Sequence, residues 1–382
     1  MKKTLVAVAA MAAITGAMAD AKITGIVDQA AISNSKIDAA GVKTTAKSFG
    51  EDLNGFSELG VSGSEDLGNG LTATYGINLS MSIATSGNTP AIYNGSGVGL
   101  KGGFGAVTIG TSYNLNFFTN AMADASGFAG ASVGQLNGNA GGLKGNILTY
   151  TAPTFVPGLS LAAEIQRGGN TTNAGNMTGY MAQYDTGGLM VRYSNSTKTE
   201  AANAVTFAYS AADLGSSDNQ TYSNQMSTTS IGGTSTALAA RTALDKTKAT
   251  AVALTYDFGM AKVFYGTSSI KSSTTVAQIK SNTTGVSVPL GAFNVAYAMS
   301  SEKGTSDGTG LTADGTGAGD GDVNLAAGDT VSSKGSRLFV TYGLSKRTTL
   351  YAMSGKATVD SIAGEASTLK TTTTSVGVKH AF

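Results

Sequence analysis

The amino-acid sequence predicts an all-β fold, a transmembrane antiparallel β-barrel of about 16 strands, from three observations. Apolar and polar residues alternate over stretches of roughly ten residues. Very short glycine-bearing turns take turns with long polar connections. The N-terminus reads as an export signal.

The alternation is clearest in Leu71-Thr-Ala-Thr-Tyr-Gly-Ile-Asn-Leu-Ser-Met81. Leu71, Ala73, Tyr75, Ile77, Leu79 and Met81 fall on one face, and Thr72, Thr74, Gly76, Asn78 and Ser80 on the other. Leu159–Gln166, Leu189–Ser194, Val252–Phe258, Leu338–Leu344 and Ser375–Phe382 follow the same rule. A soluble sandwich would bury the apolar face against a second sheet. A membrane barrel would turn it to lipid and line water with the polar face. Strand length favours the barrel, because a tilted strand needs about 9–11 residues to cross, against about 5–6 in soluble sheets.

Short turns fall at Glu65–Gly70, Lys101–Phe104, Pro153–Gly158, Thr186–Gly188, Phe258–Met260, Pro289–Gly291 and Leu344–Arg347, where Gly supplies the positive φ of tight hairpins. Long polar connections are expected near Asn34–Asn54, Tyr113–Gly145, Lys198–Lys246, Glu302–Gly335 and Ala357–Leu369. One rim is trimmed and the other decorated. The count is about 16 if Lys198–Lys246 is one connection and about 18 if Asn203–Asp213 and a partner add a hairpin; both are even, as such barrels require.

Lys2-Lys3, the apolar run Leu5 to Ile14 and Ala17-Met18-Ala19 form a signal peptide over residues 1–19. The mature barrel domain is then residues 20–382, with Ala19-Asp20-Ala21 a second choice of cleavage site. No later segment holds the ~18 apolar residues of a transmembrane helix. The chain of 382 residues has 52 Gly, 4 Pro, no Cys and a single His, His380, with a net charge of +1. Zinc clusters, Cys nucleophiles and His triads are therefore excluded, which argues against an enzyme, and the charge gives no sign of a nucleic-acid partner. No cofactor is implied. The run Asp314–Asn324 with Asp329 spaces carboxylates as Ca²⁺ ligands are spaced, with Asp320, Asp322 and Asn324 as candidates. It lacks the Glu that closes an EF-hand loop and reads better as a solvated surface loop.

Several phrases, taken in order, resemble the general trimeric porins of Gram-negative bacteria: Gly63-Ser-Glu-Asp-Leu-Gly-Asn-Gly-Leu71, Val98-Gly-Leu-Lys-Gly-Gly-Phe-Gly105, Gly285-Val-Ser-Val-Pro289, Leu344-Ser-Lys-Arg-Thr-Thr-Leu-Tyr351 and Val376-Gly-Val-Lys-His-Ala-Phe382. Residues Lys198–Lys246 carry none of it. The resemblance implies a homotrimer in the outer membrane, with lipid and lipopolysaccharide around it. It also implies a third long loop, Tyr113–Gly145, folded into the lumen. The terminal Phe382 resembles the signal read by the outer-membrane assembly machinery, and by alternation it shares the apolar face of Val376 and Val378.

A porin performs no covalent chemistry; lumen width and charge set what passes. Glu58, Ser62, Thr111 and Thr149 stand where the family's wall usually carries basic residues. Glu58, Ser62 and Thr149 lie on the polar face, whereas Thr111 alternates with Val107 and Ile109 and faces the lumen only if a bulge resets the register. Glu164, Arg192, Lys262, Arg337 and Lys379 are further polar-face charges, and the loop itself carries only Asp124 and Lys144. Mixed signs predict a passive channel for ions and small hydrophilic solutes with weak ion selectivity. The alternatives are a substrate-specific sugar-type porin, a non-conducting surface barrel or adhesin, and a soluble sandwich enzyme. A sugar path wants aromatics along the lumen, and the polar faces offer few beyond Phe264. Tyr75, Tyr256, Tyr342 and Tyr351 are expected in the interfacial girdles.

Overall fold

The computed structural model describes residues 21–37, 41–51, 54, 57–81, 91–92, 95–126, 143–168, 175–200, 245–273, 278–307, 312–313, 323–324, 327–362 and 369–382. The wall strands are β1 (Lys22–Ile37), β2 (Lys43–Glu51), β3 (Glu58–Gly68), β4 (Leu71–Ser80), β5 (Ala91–Ile92), β6 (Ser96–Gly102), β7 (Gly105–Tyr113), β8 (Leu143–Thr151) and β9 (Leu159–Gln166). They continue as β10 (Met177–Thr186), β11 (Leu189–Glu200), β12 (Asp245–Asp257), β13 (Lys262–Ser272), β14 (Gln278–Leu290) and β15 (Phe293–Asp307). A two-residue pair, β16 (Thr312–Ala313) and β17 (Val323–Asn324), stands outside the wall sheet. The wall ends with β18 (Ala327–Gly343), β19 (Thr348–Ile362) and β20 (Leu369–Ala381).

Every pairing in the wall is antiparallel, and β1 pairs with β20 along Ile26–Ile37, so the sheet closes on itself. β1 pairs with β2 along its second half and with β3 along its first, so β2 and β3 are one course of chain interrupted at residues 52–57. β5 and β6 likewise share one course against β4. The eighteen segments therefore make sixteen staves. β11 pairs directly with β12, from Leu189↔Tyr256 to Glu200↔Asp245, which decides the strand number against eighteen.

The tall rim is more strand than the sequence suggested. The expected connection Asn34–Asn54 is a hairpin of β1 and β2 over much of its length. Strand pairing also claims the start and end of Glu302–Gly335 and the start of Ala357–Leu369. Thr44, Thr45, Phe49, Thr305, Thr330, Val331, Thr358 and Val359 lie in these stretches, and their β propensity extends the ladder beyond the apolar pattern.

Alternation assigns the two faces. Tyr75, Val98, Ile109, Leu148 and Ile165 stand opposite one another across successive strands, as do Val263, Val286, Tyr297 and Leu338. These apolar rows are the outer face. Their exposure, 53% at Ile109 and 42% at Leu338, is that of side chains with no protein over them. Tyr256 and Tyr342 are exposed with them.

Tyr351 corrects the girdle expectation. It is 4% exposed and lies on the inner face, tilted against Phe339 at 5.8 Å between ring centroids. Its hydroxyl donates to Asp28 Oδ1 at 2.5 Å, and Asp28 is fully buried. The Asn54 backbone N–H donates to Asp28 Oδ2, and Lys379 Nζ donates to the Asn54 carbonyl at 2.8 Å. The interruption between β2 and β3 is thus tied inward at Asn54, beside the β1–β20 seam. Leu350-Tyr-Ala-Met353 is apolar at every position, so alternation alone could not say which way Tyr351 points.

Phe382 locks the same seam from outside. Its backbone N–H donates to the Gly25 carbonyl and Gly25 N–H to its own, each at 3.0 Å, and its ring lies where a Gly25 side chain would stand. Among the described residues no helix is long and apolar enough to cross a membrane; the wall crosses with strands. Removing the phenol that serves buried Asp28, Tyr351→Phe, is expected to cost about 1–3 kcal/mol. The shift in the urea unfolding midpoint of the lipid-folded protein, at constant m-value, checks it.

Candidate pore constriction

The connection after β7 turns into the barrel and forms a short helix, α1 (Leu115–Met122), which the sequence reading did not anticipate. Asn114 caps it, accepting from Phe117 N–H at 2.9 Å. Tyr113 stacks on Phe117 at 3.9 Å between ring centroids. A local signal was present, an Asn followed by apolar residues at 115, 118 and 122. The glycine-rich stretch around it hid the pattern.

α1 packs against β10, β11, β12 and β13 from inside. Both carboxylate oxygens of Glu164, on β9, accept from Leu115 N–H, at 3.2 and 3.1 Å. A negative charge at a helix N-terminus meets unpaired N–H groups and the positive end of the macrodipole. Asn116 Nδ2 donates to Ser196 Oγ at 2.7 Å and to the Ala249 carbonyl at 3.3 Å. Arg192 Nε donates to Thr119 Oγ1 at 3.0 Å, and its Nη1 to Gln183 Oε1 at 3.2 Å. One turn of helix is thereby fastened to three strands by buried polar bonds.

Past the helix the fastening becomes steric. A Cβ on Gly266 would meet the Ala123 methyl, and one on Gly285 the Ala125 methyl. Two wall glycines, on β13 and β14, therefore leave the space into which two loop alanines fit. Ala125 joins a buried inner cluster of Ala30, Ile32, Ala296, Ala298, Phe339, Tyr351 and Met353. Gly179 is needed in the same sense, because a side chain there would strike the Glu164 carboxylate.

The match to a model of the family described as Gram-negative porin runs over residues 6–361. The chain belongs to the Gram-negative porin family. As such it is an outer-membrane protein. It is 31% identical over 221 residues to the major outer membrane protein P.IB of Neisseria gonorrhoeae, covering 52% of this chain and 60% of that one. It is 33% identical over 207 residues to outer membrane porin protein 32 of Delftia acidovorans, covering 50% and 58%. The chain thus spans less than two thirds of the length of either relative. Among solved structures, an anion-selective porin from Comamonas acidovorans superposes with a TM-score of 0.68 at 20% identity, covering 95% of this chain and all of that one. The trimer form of OmpT from Vibrio cholerae gives 0.61 at 12%, covering 95% and 99%. These likenesses carry the fold.

In this porin the expected lumen residues divide by what they touch. Glu164 is 2% and Arg192 7% exposed, so they hold the loop instead of lining open water. Arg337 is 2% exposed on the inner face of β18. Asp124 is also buried, with its Oδ1 accepting from the N–H and hydroxyl of Ser126 at 3.0 and 2.7 Å. Lys379 is engaged with Asn54, and Lys262 lies 5.4 Å over the Phe264 ring at the start of β13. Glu58 begins β3 opposite Ile26 and Ser80, with Ser62 two inner positions further on and exposed. Thr149 is inner, paired with Thr108 and Glu164.

Thr111 does not meet its condition. The β7–β8 register slips between Gly110↔Ile147 and Ser112↔Lys144, so Gly145 and Asn146 together oppose it. The extra residue belongs to β8, where Asn146 takes φ 55°, and β7 keeps Thr111 opposite Ser96. Thr111 stays on the outer side with Ile109. The Lys144 side chain and loop residues 127–142 lie outside the described residues, as do Asp320, Asp322 and the Asn324 side chain. Among the described residues no group of three His, Cys, Asp or Glu could hold a metal ion.

Phe339 and Tyr351 add aromatics to the inner face that the sequence reading did not place there. At 2% and 4% exposure they are sealed beneath other groups and offer no accessible sugar track. Gly266→Ala and Gly285→Ala are expected to lift the loop off the wall and cost about 1–3 kcal/mol each by overpacking. Single-channel conductance should change in both. It should not change in Gly355→Ala, where the nearest atom to an added Cβ is 3.7 Å away.

Proposed function

We propose that this chain is a passive diffusion channel for ions and small hydrophilic solutes, narrowed by the loop that begins with α1 and weakly selective among ions. One observation carries the reading: residues 114–126 are fastened along the inside of the wall by Glu164, Asn116, Arg192 and the Gly266–Gly285 seats. A loop held this way narrows a water-filled passage without needing a bound substrate. Size then does most of the filtering.

Weak selectivity follows from how the charges are used. Glu164, Arg192, Asp124 and Lys379 satisfy local partners, and both signs are present. A Comamonas acidovorans neighbour is named as anion-selective. Here a Glu at 58 and a Thr at 149 weaken that preference, leaving Lys262 against Glu58 as further charges of the inner face. Charges about 10 Å apart in water interact by only ~0.4 kcal/mol, and physiological salt screens much of it.

The same proposal includes a homotrimer, removal of residues 1–19 on export, delivery by the assembly machinery through Phe382, and contact with outer-membrane lipid and lipopolysaccharide. The trimer form of OmpT among the structural neighbours supports the assembly. The purified protein in a planar bilayer is expected to open in steps of three equal conductances. In a salt gradient its zero-current potential should stay below half the ideal anion-selective value. A potential near that ideal would overturn the weak-selectivity reading, sugar-blocked current would favour a specific porin, and no current would favour an adhesin.

A further inference from the structure

Two thioether sulfurs meet the ends of α1, and they differ in access. Asn114, the N-cap, donates from Nδ2 to Met177 Sδ at 3.6 Å. Met177, on β10, is 2% exposed, so that sulfur is sealed. At the far end Met122, the last residue of α1, accepts at Sδ from Arg192 Nη1, also at 3.6 Å. Met122 is only half-buried. Its companions on the helix show which side is open. Leu115, Asn116 and Thr119 are buried toward the wall, whereas Phe117, Phe118, Ala121 and Met122 keep part of their surface free. The free side faces the passage, and Met122 stands at its border with the wall.

A movement of Met122 would be felt beyond its own side chain. Arg192 Nη1 also donates to Gln183 Oε1 at 3.2 Å, and its Nε donates to Thr119 Oγ1. The residue after Met122 is Ala123, which fills the space left by Gly266, and Ala125 follows at Gly285. A thioether is a weak acceptor. A sulfoxide oxygen is a stronger one, but it would have to fit between atoms now 3.6 Å apart. A charge-assisted N–H···O bond by itself takes up about 2.7–2.9 Å. The guanidinium is held by two other partners, so the end of the helix is what yields.

We propose that Met122 is an oxidation site, where a peroxide entering the passage converts the thioether to the sulfoxide and drives the end of α1 off the wall. A sulfur lone pair attacks one oxygen of hydrogen peroxide. An S–O bond forms as the O–O bond breaks, and the departing hydroxide removes the proton left on the sulfur-bound oxygen and leaves as water. Sulfur is oxidised by two electrons and the peroxide is reduced by two. The anchor at the helix start is spared because Met177 is sealed, so the helix pivots and does not detach. The inference rests on the reading of α1 as the element that narrows the passage.

The test treats the purified, folded barrel with hydrogen peroxide, locates added oxygen by peptide mass spectrometry, and then records single channels. Wild type should gain oxygen at Met122 and at the exposed Met260, keep Met177 unmodified, and pass to a lower conductance level. Hydrogen exchange of the amides of residues 115–126 should quicken with it. Met122→Leu, which nearly conserves volume, should lose both responses, while Met190→Leu and Met260→Leu keep both. Met190 is the stricter control, half-buried on the same inner face of β11 as Arg192. Oxygen at Met122 with conductance and exchange unchanged would overturn the proposal. So would a response that survives Met122→Leu, or a Met122 that stays unmodified while Met260 reacts. Absence of current in every sample would sink the channel reading instead, and hydrogen exchange would then decide this one. If Met122→Leu does not fold, partial oxidation of wild type takes its place. The fraction of channels at the lower level must then follow the oxygen at Met122 and not that at Met190 or Met260.

Discussion

Hydrocarbon offers no partner to a peptide N–H or C=O, so a sheet in lipid must have no edge. Much of this molecule follows from that requirement. The first strand has to find the last, and it does so over twelve paired positions from Ile26↔Ala381 to Ile37↔Lys370. Two reciprocal bonds between Gly25 and Phe382 finish the seam where β20 stops. The absent side chain at Gly25 is part of the closure, because the terminal ring occupies its place. Where the second stave breaks, at 52–57, Asn54 receives partners from within: its N–H goes to Asp28, and its carbonyl accepts from Lys379.

Closure leaves a wide interior, and the chain then has to fill part of it with its own groups. Polar side chains that alternation turns inward become fastenings for α1 and the residues after it. A carboxylate meets the helix start, a guanidinium reaches Thr119 partway along, and glycines receive the alanines beyond its end. The fastenings differ in kind because the backbone needs differ. The first turn of a helix has N–H groups to satisfy. A non-helical stretch lying on a pleated wall mostly needs room.

Alternation and turn chemistry made the barrel, its closure and its approximate strand number legible in the sequence. So was the inward-folding loop, through its length and its family resemblance. The orientation of Phe339 and Tyr351 was not, because Leu338-Phe-Val340 and Leu350-Tyr-Ala-Met353 are apolar on both faces and carry no alternation to read. The roles of Glu164 and Arg192 were half legible. Parity put them inside, but only the path of α1 shows that they hold the loop and are not in open water. Thr111 shows the limit of register arguments: turning it inward needs a bulge on β7, and the bulge lies on the neighbouring strand. The upper reaches of β1, β2, β15 and β18 look like connections in sequence, because polar residues there break the apolar alternation.

The pairing of Glu200 with Asp245 gives the fold a modular character. β11 ends and β12 begins at positions directly across from each other. Neighbouring staves keep their register whatever joins them. Because the entropy of closing a connection rises only slowly with its length, this junction can accept sequence of very different size at little thermodynamic cost. The scaffold and the segment it carries there can then diverge at different rates. Change within residues 201–244 need not disturb the constriction helix, whose fastenings to β11 and β12 end at Arg192, Ser196 and Ala249.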